Sequence, residues 1–178
     1  HSYLAPIFKA RPGSTHGYDT IDHGGINPEL GTLDEFRELA RACRQHGLGI
    51  VLDIVPNHMG VGGADNRFWL DVLEHGEASR YAAWFDIDWR SPAPGVYGKL
   101  LLPFLRQSFG EALQDGSLQL ASDGGLAVWV DNYHKLPLSP ETAAGIGADE
   151  IARINSDPAA LAALIDRQHW RIAAAKVG

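Results

Sequence analysis

Two short stretches of the sequence combine side chains whose types and spacing could support chemistry. One spans residues 16–19. The other spans residues 53–58, where an acid inside an apolar run is followed by an amide and an imidazole. Imidazole, amide and carboxylate groups pair with hydroxyl groups, and an aromatic ring stacks on an apolar face, so this combination is typical of a sugar-binding surface. The candidate residues are His16, Tyr18, Asp19, Asp53, Asn57 and His58.

Each stretch also has other interpretations. An acid inside a strand, such as Asp53, more often accepts hydrogen bonds than performs catalysis, because a buried charge without partners is costly. The segment 56–58 could form a simple turn, and His16 could stabilise its own loop. Asp, Asn and His are also metal ligands, so a metal-dependent hydrolase stays open. A non-catalytic module that binds carbohydrate or protein stays open as well.

A strand–helix–strand unit is predicted to position these residues. Apolar runs predict strands over residues 3–8 and 48–55. The helix between them begins at the N-cap Thr32, with Glu35 at the capping-box spacing, and ends before Gly47. Strands joined in this way are parallel neighbours, and sites form at their carboxyl ends. The two candidate stretches should therefore converge at one edge.

The segments around this unit have weaker patterns. Glycine and proline predict an irregular loop over residues 9–31. Residues 60–155 mix short helical patterns with strand patterns, including a hairpin around 122–125, and are predicted to be an inserted subdomain. Residues 156–178 are predicted to form a helix that returns to the unit of residues 1–59. The stripe of the first helix predicts a buried face at Leu33, Phe36, Leu39, Ala40 and Cys43.

The composition excludes several classes of function. The net charge is −7 without a basic stripe, which disfavours nucleic-acid binding. No apolar stretch reaches the length of a membrane span, and we recognise no signal-peptide pattern in the sequence, so no membrane partner is expected. The single cysteine fits a reducing compartment and predicts a cytoplasmic protein. The motifs of serine hydrolases, zinc proteases and nucleotide-binding loops are missing from the sequence, so no cofactor is predicted.

A family resemblance joins these pieces. The sequence Asp53-Ile-Val-Pro-Asn-His58 resembles the first conserved motif of the α-amylase superfamily, of the glycoside hydrolase family 13 type, at the end of the third barrel strand. Residues 3–8 resemble the second strand of that family, and residues 16–19 and 26–31 follow in its order. Residues 69–89, 100–103, 136–138 and 167–171 are similar to one branch of the family. That branch converts the reducing-end α-1,4 bond of maltooligosaccharides into an α,α-1,1 bond.

The resemblance implies an α/β fold. The chain would supply strands 2 and 3 of a (β/α)8 TIM barrel with the helix between them, and a mixed α+β insertion after strand 3. The first strand would precede His1. The nucleophilic Asp and the acid/base Glu would lie on strands beyond Gly178. The chain would then be an inactive N-terminal fragment that needs the rest of the same polypeptide.

The resemblance also implies roles for the candidate residues. Tyr18 would form an aromatic platform under the sugar at the cleavage point. His58 would bind hydroxyl groups of that sugar, with His16 and Asp19 close by. Asp53 and Asn57 would support the site, without a metal. The substrate would be a maltooligosaccharide, and a hydrolytic α-amylase-type glycosidase is the alternative.

Overall fold

The computed structural model describes residues 1–175. The chain divides into two compact units, one of residues 1–66 and one that begins at Arg67. None of the helices within residues 1–175 has both the length and the apolar character needed to cross a bilayer.

The first unit contains the predicted strand–helix–strand arrangement. Strand β1, Ser2–Leu4, pairs in parallel with strand β4, Ile50–Leu52, and helix α1, Leu33–Gln45, lies between them in the sequence. Both strands are shorter than the apolar runs that predicted them. The ladder continues only as far as the amide of Asp53, which donates to the carbonyl of Leu4 at 2.9 Å. Asp53 therefore lies at the carboxyl end of a paired strand.

Helix α1 begins and ends where the sequence predicts. The Thr32 hydroxyl accepts a hydrogen bond from the Glu35 amide at 3.2 Å, and the Glu35 carboxylate accepts one from the Thr32 amide at 2.7 Å. The predicted apolar stripe is only partly buried in this unit. Cys43 is buried, whereas Leu33 and Leu39 are 50% and 44% exposed.

The prediction of an irregular loop over residues 9–31 is wrong. Strand β2, Phe8–Ala10, pairs antiparallel with strand β3, Thr20–Ile26. The register shifts within this ladder, so the pairing does not follow a simple alternation of residues. Thr20 and Ile21 are buried at 1% and 3% exposure. Long-range pairing with β2 thus stabilises a segment whose glycines indicated a loop.

The second unit contains a parallel strand pair and an antiparallel sheet. Strand β5, Leu100–Leu105, pairs in parallel with β9, Trp170–Ala174. Strands β6, Leu118–Ser122, β7, Leu126–Val130, and β8, His134–Pro137, form a three-stranded antiparallel sheet. The hairpin of β6 and β7 confirms the prediction around 122–125. Strand β8 was not predicted. The helices are α2, Arg67–His75; α3, Phe109–Gln114; α4, Pro140–Ala143; α5, Ala148–Ser156; and α6, Pro158–Asp166.

The predicted helix over residues 156–178 is wrong beyond its first half. Helix α6 is capped by the Asp157 side chain and ends at Asp166, and β9 follows. Trp170 and Ile172 are buried while Arg171 is exposed, which is the period-two pattern of a strand. The alanines of this segment favour a helix locally, but pairing with β5 overrides that preference. Residues 176–178 lie outside the described part of the chain.

Two further segments contain tight turns. The segment 76–84 contains two 3-10 turns, at Gly76–Ala78 and Ala82–Trp84. The link from β7 to β8 turns through Asp131 and Asn132, whose φ angles are 52° and 53°. Two consecutive left-handed residues are the geometry of a tight hairpin turn.

A buried polar cluster ties helix α4 to the start of β9. The side-chain oxygen of Gln168 accepts hydrogen bonds from the Ser139 amide at 2.8 Å and from the Thr142 hydroxyl at 3.0 Å. Its amide nitrogen donates to the Leu164 carbonyl at 2.7 Å. Gln168 is only 1% exposed, so these bonds are made away from water. The Trp170 indole, fully buried two residues further along the chain, donates to the Pro137 carbonyl at 3.0 Å.

Candidate functional site

The centre of the candidate site is one carboxylate oxygen that accepts two phenols. The hydroxyl of Tyr3, on β1, and the hydroxyl of Tyr18, in the loop between β2 and β3, each lie 2.6 Å from Oδ2 of Asp53. Asp53 directly follows β4, so the β1–β4 pairing sets the positions of two of the three groups. The candidate acid and the candidate aromatic residue are therefore in direct contact.

The hydrogen bonds fix the charge states of these groups. The bonds donated by Tyr18 and then Tyr3 lower the pKa of the Asp53 carboxyl below its ordinary value. The bond to Asp53 raises the pKa of Tyr3 to about 12 and also raises the pKa of Tyr18. At neutral pH, Asp53 is thus an anion between two neutral phenols. In this arrangement it acts as a hydrogen-bond acceptor that holds Tyr18, and it has no proton to donate.

Gly17 sets the course of the loop that carries Tyr18. Its φ angle is +76°, a left-handed value. A β-carbon at this position would lie 2.7 Å from the Pro6 carbonyl oxygen. The Gly17 amide donates to the Ser14 hydroxyl at 3.1 Å, and that hydroxyl in turn donates to the Asp19 carboxylate. The glycine of the 16–19 stretch is therefore required by both backbone conformation and space.

His16 lies beside the ring of Tyr18. The two ring centroids are 5.9 Å apart with an interplanar angle of 22°, and the Tyr18 amide donates to Nδ1 of His16 at 3.0 Å. The same nitrogen is 3.8 Å from the Asp19 carboxylate. Tyr18 is 46% exposed, so part of the phenol ring is free for a ligand.

His58 approaches Tyr18 from the other candidate stretch. Its Nε2 donates to the Tyr18 carbonyl at 3.2 Å, because a carbonyl oxygen only accepts. Its Nδ1 lies 3.0 Å from the side-chain amide of Asn57. Both side chains are exposed. The structure thus brings the other five candidate residues together around Tyr18. His16, Asp53 and His58 contact it, Asp19 lies beside His16, and Asn57 lies beside His58.

Three residues near the site were not identified from the sequence. Tyr3 and Ser14 bind the carboxylates of Asp53 and Asp19, and His23 donates from Nε2 to the Val55 carbonyl at 2.7 Å. Tyr3 and His23 make their contacts to residues 50 and 32 positions away, so no local spacing signals them. Ser14 is five residues from its partner inside a loop, where the sequence gives no register.

Within residues 1–175, no three His, Cys, Asp or Glu side chains converge as a group that could hold a metal ion.

These features fit a known enzyme class. The class has a strand–helix–strand unit like this one, and here Tyr3, Tyr18 and Asp53 meet at the carboxyl end of its strands. Residues 1–116 match the family model described as alpha amylase, catalytic domain. The chain belongs to the α-amylase catalytic-domain family, and the predicted family and α/β class are confirmed.

Particular relatives extend the match further. A putative maltooligosyl trehalose synthase of Mycobacterium tuberculosis is 39% identical over 97% of this chain and 19% of that protein. The structure of maltooligosyltrehalose synthase from Arthrobacter ramosus aligns with a TM-score of 0.75 and 35% identity, over 97% of this chain and 20% of that one. The intracellular maltogenic amylase of Bacillus subtilis is 44% identical, over 48% of this chain and 14% of its own length. The chain thus spans about one fifth of the synthase relatives that it matches.

Proposed function

We propose that this chain is a section of an enzyme that converts the reducing-end α-1,4 bond of a maltooligosaccharide into an α,α-1,1 bond. The observation that carries this proposal is the extent of the likeness. Relatives named as maltooligosyltrehalose synthases match 97% of the chain, whereas the maltogenic amylase of Bacillus subtilis matches 48%. Similarity over nearly the whole chain necessarily includes most of the second unit, and this distinguishes the synthase proposal from a general amylase.

The geometry of the first unit supports a sugar-binding role for its candidate residues. The half-exposed ring of Tyr18 offers an apolar platform for a pyranose, and the bond to Asp53 holds its hydroxyl. His16 and Asp19 flank the platform with groups that pair with hydroxyls. His58 is engaged by the protein at both nitrogens, but its partner at Nδ1 is the exposed Asn57 side chain, which a sugar hydroxyl can replace.

The chemical step needs groups beyond these. Retaining glycosidases use two carboxyl groups about 5–5.5 Å apart, one as nucleophile and one as acid and base. We assign these two carboxylates to barrel strands of the same polypeptide outside residues 1–178, so that β1 and β4 are strands 2 and 3 of an eight-stranded barrel. Attack of the nucleophile would break the reducing-end bond, release glucose and leave a glycosyl–enzyme bond. The anomeric hydroxyl of that glucose would then displace the carboxylate and give its proton to the base, and exclusion of water would favour this outcome over hydrolysis. We place the enzyme in the cytoplasm, where the single buried thiol of Cys43 stays reduced.

The proposal is tested with maltopentaose and two proteins, the 178-residue chain and the full-length protein that carries it. The full-length protein should remove reducing ends without releasing an equal amount of glucose, because the α,α-1,1 bond leaves no free anomeric carbon. The 178-residue chain should show no turnover, because it is proposed to lack both catalytic carboxylates. A rise in reducing ends with the full-length protein would instead establish a hydrolase. Turnover by the chain alone would refute the assignment of the catalytic groups.

A further inference from the structure

Tyr3 makes a specific contact that its packing does not explain. Within residues 1–175 it is 66% exposed, so burial of the ring in this part of the protein provides little reason for its position. Its hydroxyl nevertheless lies 2.6 Å from Asp53 Oδ2, the atom that also holds Tyr18. The hydroxyl group is therefore the part of Tyr3 that makes its specific contact.

The two phenols together determine how the Asp53 carboxylate is oriented. A carboxylate oxygen offers about two lone-pair positions, and Tyr3 and Tyr18 occupy both positions on Oδ2. The backbone of Asp53 is fixed separately, because its amide donates a hydrogen bond to the Leu4 carbonyl. With one phenol removed, the carboxylate can rotate and a water molecule can replace the missing donor. Tyr18 would then lose the fixed acceptor that sets its ring plane.

We propose that Tyr3 is a positioning residue for the sugar platform, acting on Tyr18 through the shared Asp53 carboxylate. The proposal rests on the assignment of Tyr18 as the platform under the reacting sugar. This role does not require Tyr3 to contact the substrate. Its place on β1, beside β4, links the ring of a loop residue to the paired strands of the unit.

Tyr3→Phe tests this role in the full-length protein, because it removes the hydroxyl and keeps the ring. A misplaced platform weakens the alignment of the reacting bond more than the binding of the chain of sugars. We therefore expect kcat to fall about 10-fold, with KM changed less than about 3-fold. The matched control is Tyr97→Phe, since Tyr97 is 69% exposed and its ring lies beside Arg90 in the second unit. The control should retain wild-type kcat.

A double-mutant cycle separates the proposed mechanism from a structural effect of Tyr3. If Tyr3 acts through Asp53, then Tyr3→Phe should cause no further loss of kcat in an Asp53→Asn background. Independent losses that multiply in the double variant would overturn the proposal. A Tyr3→Phe enzyme with the same kcat as Tyr97→Phe would also overturn it.

A spectroscopic measurement tests the coupling without depending on activity. The Asp53 carboxylate accepts both phenols, and its hydrogen bond raises the pKa of Tyr18. With Tyr3→Phe, Tyr18 is the remaining phenol on that oxygen, so the pKa of Tyr18 should rise further. NMR titration of the full-length protein labelled with carbon-13 at the tyrosine Cζ atoms measures this shift, and an unchanged Tyr18 titration would contradict the coupling. If the full-length protein proves to be a hydrolase, the proposed function fails. The effects of Tyr3→Phe on hydrolysis and on the Tyr18 titration still decide the positioning role.

Discussion

Replacing Gly17 by alanine tests whether the loop geometry holds the candidate site together. Alanine at a φ of +76° costs about 1–2 kcal/mol, because its β-carbon approaches the neighbouring backbone. The new β-carbon would also lie 2.7 Å from the Pro6 carbonyl oxygen and 3.2 Å from the Pro6 β-carbon. Overpacking of this kind costs about 1–3 kcal/mol more. The native loop should therefore be destabilised by about 2–5 kcal/mol.

Gly13 provides the matched control in the same loop. Its φ is +73°, but a β-carbon there would meet no atom within 4 Å. Gly13→Ala should thus carry only the conformational cost of about 1–2 kcal/mol. The difference between the two variants, about 1–3 kcal/mol, isolates the contact with Pro6 and corresponds to about 5- to 150-fold in an equilibrium constant.

Hydrogen exchange measured by mass spectrometry on peptides covering residues 11–20 is the appropriate assay. All five tryptophans lie in the second unit, so their fluorescence does not monitor this loop. The amides of Arg11, Gly17 and Tyr18 are hydrogen-bonded within the loop and should be protected. Protection should fall about 5- to 150-fold further in Gly17→Ala than in Gly13→Ala. Equal protection in the two variants would refute the argument that the Pro6 carbonyl excludes a side chain.

Two further predictions concern the buried polar cluster and the pH range of the site. Gln168→Leu should lower the free energy of unfolding by about 2–4 kcal/mol, because buried donors lose their acceptor; urea unfolding followed by tryptophan fluorescence measures this. The exposed control Gln119→Leu should change it by less than about 0.5 kcal/mol, and equal effects would contradict the role of burial. The Asp53 pKa is lowered in the folded chain, so its stabilising contribution is present above the unfolded pKa of about 3.8 and is lost as the pH falls through the lower folded value. The Tyr3 pKa is raised to about 12, so its contribution is present below 10.0 and is lost as the pH rises through about 12. Alkaline titration of tyrosine absorbance should show this late ionisation, and Asp53→Asn should abolish it; a late ionisation that survives this change would exclude Asp53 as its cause.

Local interactions explain which elements could be predicted from the sequence. The capping box of Thr32 and Glu35 involves residues three apart, and the sequence was sufficient to place the start of α1. The hairpin of β6 and β7 also forms between neighbouring segments. The strand β9 could not be predicted in this way, because its partner β5 lies about 70 residues earlier. Without the pairing to β5, the alanines of this segment favour a helix.

The same distinction applies to the candidate site. Motif order was enough to select His16, Tyr18, Asp19, Asp53, Asn57 and His58, and the structure gathers them around one ring. Tyr3 was missed because its contact with Asp53 depends on the register of β1 against β4. The hairpin of β2 and β3 was missed because its ladder contains register shifts in β2 and because β3 contains two glycines. The assignment of each residue to sugar binding stays a prediction.

The linkage in the product of the full-length protein tests the central proposal most directly. Maltopentaose would be incubated with the purified protein, and the anomeric protons of the products would be recorded by NMR. The proposed function predicts a pentasaccharide that contains one α,α-1,1 bond and has lost its reducing-end anomeric signals. Products that retain only α-1,4 bonds and are shorter than the substrate would contradict it.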